Sequence, residues 1–159
     1  MKIEKLLFAV VLVLGLYACS KKQGNVFDVN ENLAYCDTQV TRTLSEISGK
    51  DMMPRNIMDS LYHWKLVPVE ISEWTAGFWP GTLWYNYENT HTETNLDAST
   101  YYTDLLEPLT KLSAYDHDLG FQLFCSYGNG YRLTGREDYK QIILNAADTL
   151  ATLFNPKVG

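Results

Sequence analysis

Between Glu137 and Phe154 the residues Tyr139, Ile142, Ile143, Ala146, Ala147, Leu150, Leu153 and Phe154 recur three and four positions apart, so in a helix they share one face. Such a helix must bury that face on a neighbour. Asn155-Pro156 ends it. The same period recurs upstream. Leu33, Cys36, Val40, Leu44 and Ile47 form a stripe over Asn32 to Ile47, stopped by Ser48-Gly49. From Asp97, a candidate N-cap, the residues Ala98, Tyr101, Tyr102, Leu105, Leu106, Leu109 and Leu112 form another, which Pro108 should bend or interrupt. Asp118 to Thr134 repeats the pattern through Leu119, Leu123, Tyr127 and Tyr131, with Gly135 as the stop. Gly77 to about Asn89 is a further helix, with Pro80 tolerated in its first turn.

Residues 50–72 hold Pro54, Pro68 and the cluster Tyr62-His63-Trp64 without a sustained period, which predicts a long ordered loop of the kind that often carries function. Thr90 to Asn95 reads as a polar connector. No segment reads as a convincing strand, so the expected class is all-α, with consecutive antiparallel helical hairpins. These could build a solenoid or part of a toroid, and the lack of a fixed repeat counts against a regular solenoid.

The first residues are not part of that fold. Lys2 and Lys5, the apolar run Leu6 to Leu16, and Leu16-Tyr17-Ala18-Cys19 read as a signal peptide over residues 1–18, too short in its apolar core to span a bilayer comfortably. Leu-x-Ala-Cys also looks like a bacterial lipobox, which would make Cys19 the lipidated first residue of the mature chain and residues 19–30 a polar tether. The expected location is the periplasm or outer membrane, attached to a membrane through the lipid. In that oxidising setting Cys36 and Cys125 could pair, yet both fall at apolar helical positions where cysteine packs as a small hydrophobe. The net charge of -6 and the scatter of 13 basic residues argue against nucleic acid as a partner. No Cys/His spacing suits a structural zinc site, and no metal or cofactor is expected.

Two stretches carry chemistry. Asp116-His117-Asp118 places two carboxylates and an imidazole at the mouth of a helix. One carboxylate could cap the helix while the other faces a ligand, and carboxylates this close can take separate acid and base roles. Glu73-Trp74-Thr75-Ala76-Gly77-Phe78-Trp79-Pro80-Gly81-Thr82-Leu83-Trp84 is rich in the aromatic faces on which sugar rings stack. These tryptophans could equally be core, but the polar setting of Trp74 favours exposure for that one. Gly128-Asn129-Gly130 has no strand before it and is not a phosphate loop.

Glu73-Trp74-Thr75-Ala76-Gly77-Phe78-Trp79-Pro80-Gly81-Thr82-Leu83-Trp84-Tyr85, His117-Asp118-Leu119-Gly120-Phe121, Ser126-Tyr127-Gly128-Asn129-Gly130-Tyr131-Arg132-Leu133-Thr134-Gly135 and the closing Phe154-Asn155-Pro156 together resemble the N-terminal part of the unsaturated glucuronyl hydrolases, glycoside hydrolase family 88. The resemblance implies that residues 31–159 are part of an (α/α)6 toroid. It also implies action on oligosaccharides made by polysaccharide lyases, from which a 4,5-unsaturated uronic acid is removed by hydrating its double bond. On the match, Asp118 corresponds to an essential aspartate that contacts sugar hydroxyls and assists catalysis, Trp74 to a stacking tryptophan and His117 to its neighbour in the cleft. Asp116 takes no role from it. The second essential aspartate of the family lies beyond the matched stretch. The chain would then be a truncated, inactive portion with apolar helix faces left uncovered. A lipid-anchored helical glycan-binding protein would use the same aromatic platform without chemistry, and a helical scaffold would leave it without a purpose.

Overall fold

The computed structural model describes residues 27–158. The expected signal peptide, Cys19 and most of the tether lie outside them. In chain order the elements are α1 (Val29–Ile47), β1 (Met53–Ile57), β2 (Trp64–Val67), α2 (Phe78–Thr90), α3 (Glu93–Asp104), a 3-10 turn (Glu107–Lys111), α4 (Leu119–Leu123), a π-helical turn (Phe124–Gly128), α5 (Asn129–Thr134) and α6 (Glu137–Ala151). The helical hairpins expected from periodicity are present, and the described residues are mostly helical.

Helix α2 is the centre. Its Trp79, Leu83 and Trp84 are buried, and Leu106, Leu109, Leu119, Leu123, Tyr127 and Tyr139 complete the core around it. Trp84 is fully enclosed and donates its indole N–H to Thr103 Oγ1 at 2.8 Å, whereas the buried Trp79 Nε1 has no hydrogen-bond partner among the described residues. Tyr139 of α6 packs edge-on against Tyr127 with centroids 4.9 Å apart. Its hydroxyl donates to Asp104 Oδ1 at 2.8 Å, and the Arg136 guanidinium lies 3.8 Å from its ring centre. Gly130 makes this packing possible: a Cβ there would lie 2.6 Å from the Tyr139 ring and 2.9 Å from Trp84.

Several expectations need correction. Residues 50–72 are not all loop, because β1 and β2 pair antiparallel from Met53 opposite Val67 to Ile57 opposite Trp64. The period-2 signal is lost because the pair is short, carries a bulge between Pro54 and Asn56, and turns only Met53 and Val67 fully inward. Trp64 ties the hairpin to α1 by its backbone N–H to Glu46 Oε1 at 2.9 Å and its indole N–H to Thr43 Oγ1 at 3.1 Å. Nor is Asp97 an N-cap: α3 starts at Glu93, and Thr92 Oγ1 accepts the Asn95 N–H at 3.3 Å. The polarity of the 90–95 stretch has an inward use as well. Asn95 Nδ2 donates to Thr90 Oγ1 at 2.7 Å and to Asp37 Oδ1 at 3.3 Å, and Asn86 Nδ2 donates to the same Asp37 oxygen at 2.8 Å, which joins α2 and α3 to α1.

The helix anticipated over Asp118–Thr134 is helical throughout but widens to a π turn in its middle. There Ser126 Oγ donates to the Gln122 carbonyl at 2.6 Å, and the Cys125 carbonyl faces Gly81 of α2, where a Cβ would stand 2.9 Å away. As anticipated, α3 ends before Pro108, which lies in the 3-10 turn. Cys36 is exposed on α1 instead of packed, whereas Cys125 is half-buried; both are free thiols. Much of the apolar stripe expected over Glu137 to Phe154 has no cover among the described residues: Ile142, Ile143, Ala146 and Leu150 of α6 are only partly buried, and Leu153 and Phe154, which follow the helix end at Ala151, are exposed.

Candidate active-site patch

Trp74 sits in the turn ahead of α2 with its side chain partly in solvent at 41% exposure, as its polar neighbours suggested. Its ring meets Phe78 edge-on at 5.7 Å and Phe121 at 6.0 Å, and Phe78 and Phe121 meet at 5.5 Å. All three rings are partly exposed, which makes a continuous aromatic surface. Phe121 belongs to α4, and its backbone N–H donates to the Asp118 carbonyl at 2.8 Å. The tryptophan turn and the acidic helix start therefore lie side by side.

Asp118 occupies the N-cap position of α4, yet its carboxylate caps no first-turn N–H. Its backbone N–H is taken instead by Asp116 Oδ1 at 2.8 Å, so Asp116 is a turn-forming residue. The Asp118 side chain is 23% exposed, and His117 Nε2 stands 3.3 Å from its Oδ1 while the His117 ring itself projects into solvent. The structure thus brings Trp74, His117 and Asp118 to one neighbourhood, with the Asp118 carboxylate beside the His117 ring and not spent on capping α4. A carboxylate beside aromatic faces suits a sugar: hydroxyl groups donate to the oxygens while the ring's C–H face lies on the π surface.

Two further residues build the patch: Gln122, which sequence reasoning did not single out, and Glu73, which it included only as part of the tryptophan motif. Gln122, only 1% exposed, donates from Nε2 to the carbonyls of Glu70 at 3.2 Å, Ile71 at 3.1 Å and Glu73 at 3.1 Å. Glu73 in turn holds Arg55 of β1 through both carboxylate oxygens, at 2.9 and 3.0 Å from Nη1, and accepts from Thr75 Oγ1 at 2.8 Å. The hairpin is thereby tied to the tryptophan turn. No group of three His, Cys, Asp or Glu side chains that could hold a metal ion occurs among the described residues.

Comparison with known proteins gives one consistent relationship. No family model matches the chain. An unsaturated glucuronyl hydrolase of Formosa agariphila is 30% identical over 158 residues, covering 94% of this chain and 39% of that protein. An unsaturated chondroitin disaccharide hydrolase of Streptococcus pneumoniae is 33% identical over 90 residues, 55% of this chain and 23% of its own length. Among solved structures, an unsaturated glucuronyl hydrolase specific for heparin superposes with a TM-score of 0.71 at 35% identity, over 80% of this chain and 33% of the other. A variant of the Streptococcus agalactiae enzyme, complexed with dGlcA-GalNAc6S, gives a TM-score of 0.64 at 23% identity over 82% and 35%, a likeness of fold. The matched stretch therefore spans about a quarter to two-fifths of the length of these relatives. The helical hairpins are part of an (α/α)6 toroid, the fold of these neighbours. In sequence and in backbone, over the portion of their length that it spans, this chain is similar to the unsaturated glucuronyl hydrolases.

Proposed function

We propose that this chain supplies one wall of a site that removes 4,5-unsaturated glucuronic acid from lyase-generated oligosaccharides by hydrating the double bond. The observation that supports it best is the Asp118 carboxylate, left uncapped at a helix start beside the Trp74–Phe78–Phe121 surface. In this reading Trp74 stacks on the unsaturated ring, and Asp118 accepts from its hydroxyls and stabilises the positive charge that develops when the double bond is protonated. Protonation at C4 leaves that charge shared by C5 and the ring oxygen. Water adds at C5, and the hemiketal collapses with release of the remaining saccharide. The proton donor is a second carboxylate outside these residues, so the chain alone binds the sugar without turning it over. His117 borders the same cleft.

The test uses an unsaturated uronyl disaccharide. Binding is measured on the chain itself, and turnover, read as the fall in absorbance of the conjugated double bond, on a fusion that supplies the remaining length of the F. agariphila relative. Asp118→Asn should abolish turnover while retaining affinity, and Trp74→Ala should chiefly weaken binding. Unchanged turnover in Asp118→Asn would remove Asp118 from the chemistry. Binding with no turnover in any fusion would favour a glycan-binding protein.

The sequence of residues 16–19 supports, in the same proposal, a lipid anchor on Cys19 and a place in the periplasm or outer membrane. Cys19→Ser should then release the protein from the membrane fraction.

A further inference from the structure

Trp74 and Asp118 are 44 residues apart in sequence (118 − 74), so their spacing has to be fixed by something between the two segments. One side chain reaches from one to the other. Gln122 lies one turn beyond Asp118, and its backbone N–H donates to the Asp118 carbonyl at 3.2 Å. Its side-chain Nε2 faces three carbonyls, those of Glu70, Ile71 and Glu73, the last immediately before Trp74. Three acceptors around one nitrogen also determine which end of the amide points there, because an oxygen in that place would face only other oxygens. Beneath this clasp the two segments touch backbone to backbone. A Cβ on Gly77 would stand 2.2 Å from the carbonyl oxygens of both Phe121 and Gln122.

We propose that Gln122 is the positioning residue of the sugar patch, holding the tryptophan turn at a fixed distance from the Asp118 carboxylate through its three carbonyl contacts. It touches no substrate itself. The proposal rests on the sugar-site reading only for its functional consequence, since the clasp is a statement about Trp74 and Asp118 whatever they bind. A buried glutamine that merely satisfied stray carbonyls would give, when removed, a loss of stability spread over α4. A clasp gives a displaced Trp74.

The experiment separates these outcomes on the chain itself. Tryptophan is replaced by 5-fluorotryptophan, the Trp74 resonance is identified with Trp74→Phe, and fluorine spectra are recorded for Gln122→Met, of similar length without donors, and Gln122→Glu. The Trp74 line should shift and broaden in Gln122→Met while those of the core residues Trp79 and Trp84 stay in place. Affinity for the unsaturated uronyl disaccharide should fall about tenfold or more, as misplacement of a binding group does. In Gln122→Glu the ionised carboxylate repels the three carbonyls, but its protonated form regains one O–H donor. Both the Trp74 line and the affinity should therefore recover as pH is lowered. Unmoved Trp74 resonances in both variants would overturn the proposal, and so would a Gln122→Glu spectrum that ignores pH. If the Trp74 line moves and recovers as described but the unsubstituted chain binds no disaccharide, the clasp stands and the sugar reading of the patch falls.

Discussion

At the scale of single residues, the site is defined by what its groups do not do. Asp118 has the position of a helix cap without its hydrogen bond, and Asp116, two residues earlier, takes up the turn's N–H instead. Spacing alone could not assign these roles, since either carboxylate could reach a first-turn amide, and only the backbone path decides which does. Gly77 is a comparable case. Within the motif it reads as a helix boundary, yet the added methyl of Gly77→Ala would meet two backbone carbonyls at 2.2 Å that have no room to give. We expect Gly77→Ala to destabilise the chain by roughly 3 kcal/mol or more, measured by denaturant unfolding. Thr103→Val strands the fully buried Trp84 indole N–H, and the expected loss is about 1–3 kcal/mol by the same measurement.

At the scale of elements, α6 and much of α1 were legible from their helical period, and boundaries were legible at Gly49, Gly77 and Gly135, whereas α6 ends at Ala151, ahead of the Asn155-Pro156 stop. The α3 start was misplaced at Asp97 because Asp and Thr both cap helices, and only the contacts of Asn95 with Thr90 and Asp37 show why the turn forms earlier. The hairpin was missed because its bulge breaks the alternation and because its main tie, through Trp64 to Glu46 and Thr43, crosses to another element. That tie is testable: Trp64→Ala should speed amide exchange across β1 and β2 while leaving the α2 amides protected. The two thiols were read alike as packed, but their settings differ. Cys36 stands exposed on α1, while burial raises the pKa of the Cys125 thiol above its usual value. Alkylation near neutral pH followed by peptide mass mapping should therefore label Cys36 well before Cys125.

At the scale of the whole molecule, the core is rich in phenols that lack water around them. Burial pushes Tyr102 up to about 12, and it raises Tyr127 and Tyr139 as well, the latter helped by its bond to Asp104. Each is held neutral in the folded chain. The stability this represents is complete below the unfolded tyrosine value near 10 and is lost as pH rises toward the folded values, because only the unfolded chain releases those protons easily. Thermal unfolding followed from neutral pH to about 11 should show a midpoint that falls above about 10, with tyrosinate absorbance appearing together with unfolding. The period that marks the last helix calls for a neighbour over its apolar face, yet among the described residues Leu153 and Phe154, at the end of that stripe, are exposed. Finally, the bare contact at Gly77 limits how such a cleft can diversify. With no side chain interposed between the two segments, its width cannot be graded one methyl group at a time. Any added room has to come from the length or path of the preceding turn, because substitution at the contact itself meets the Phe121 and Gln122 carbonyls.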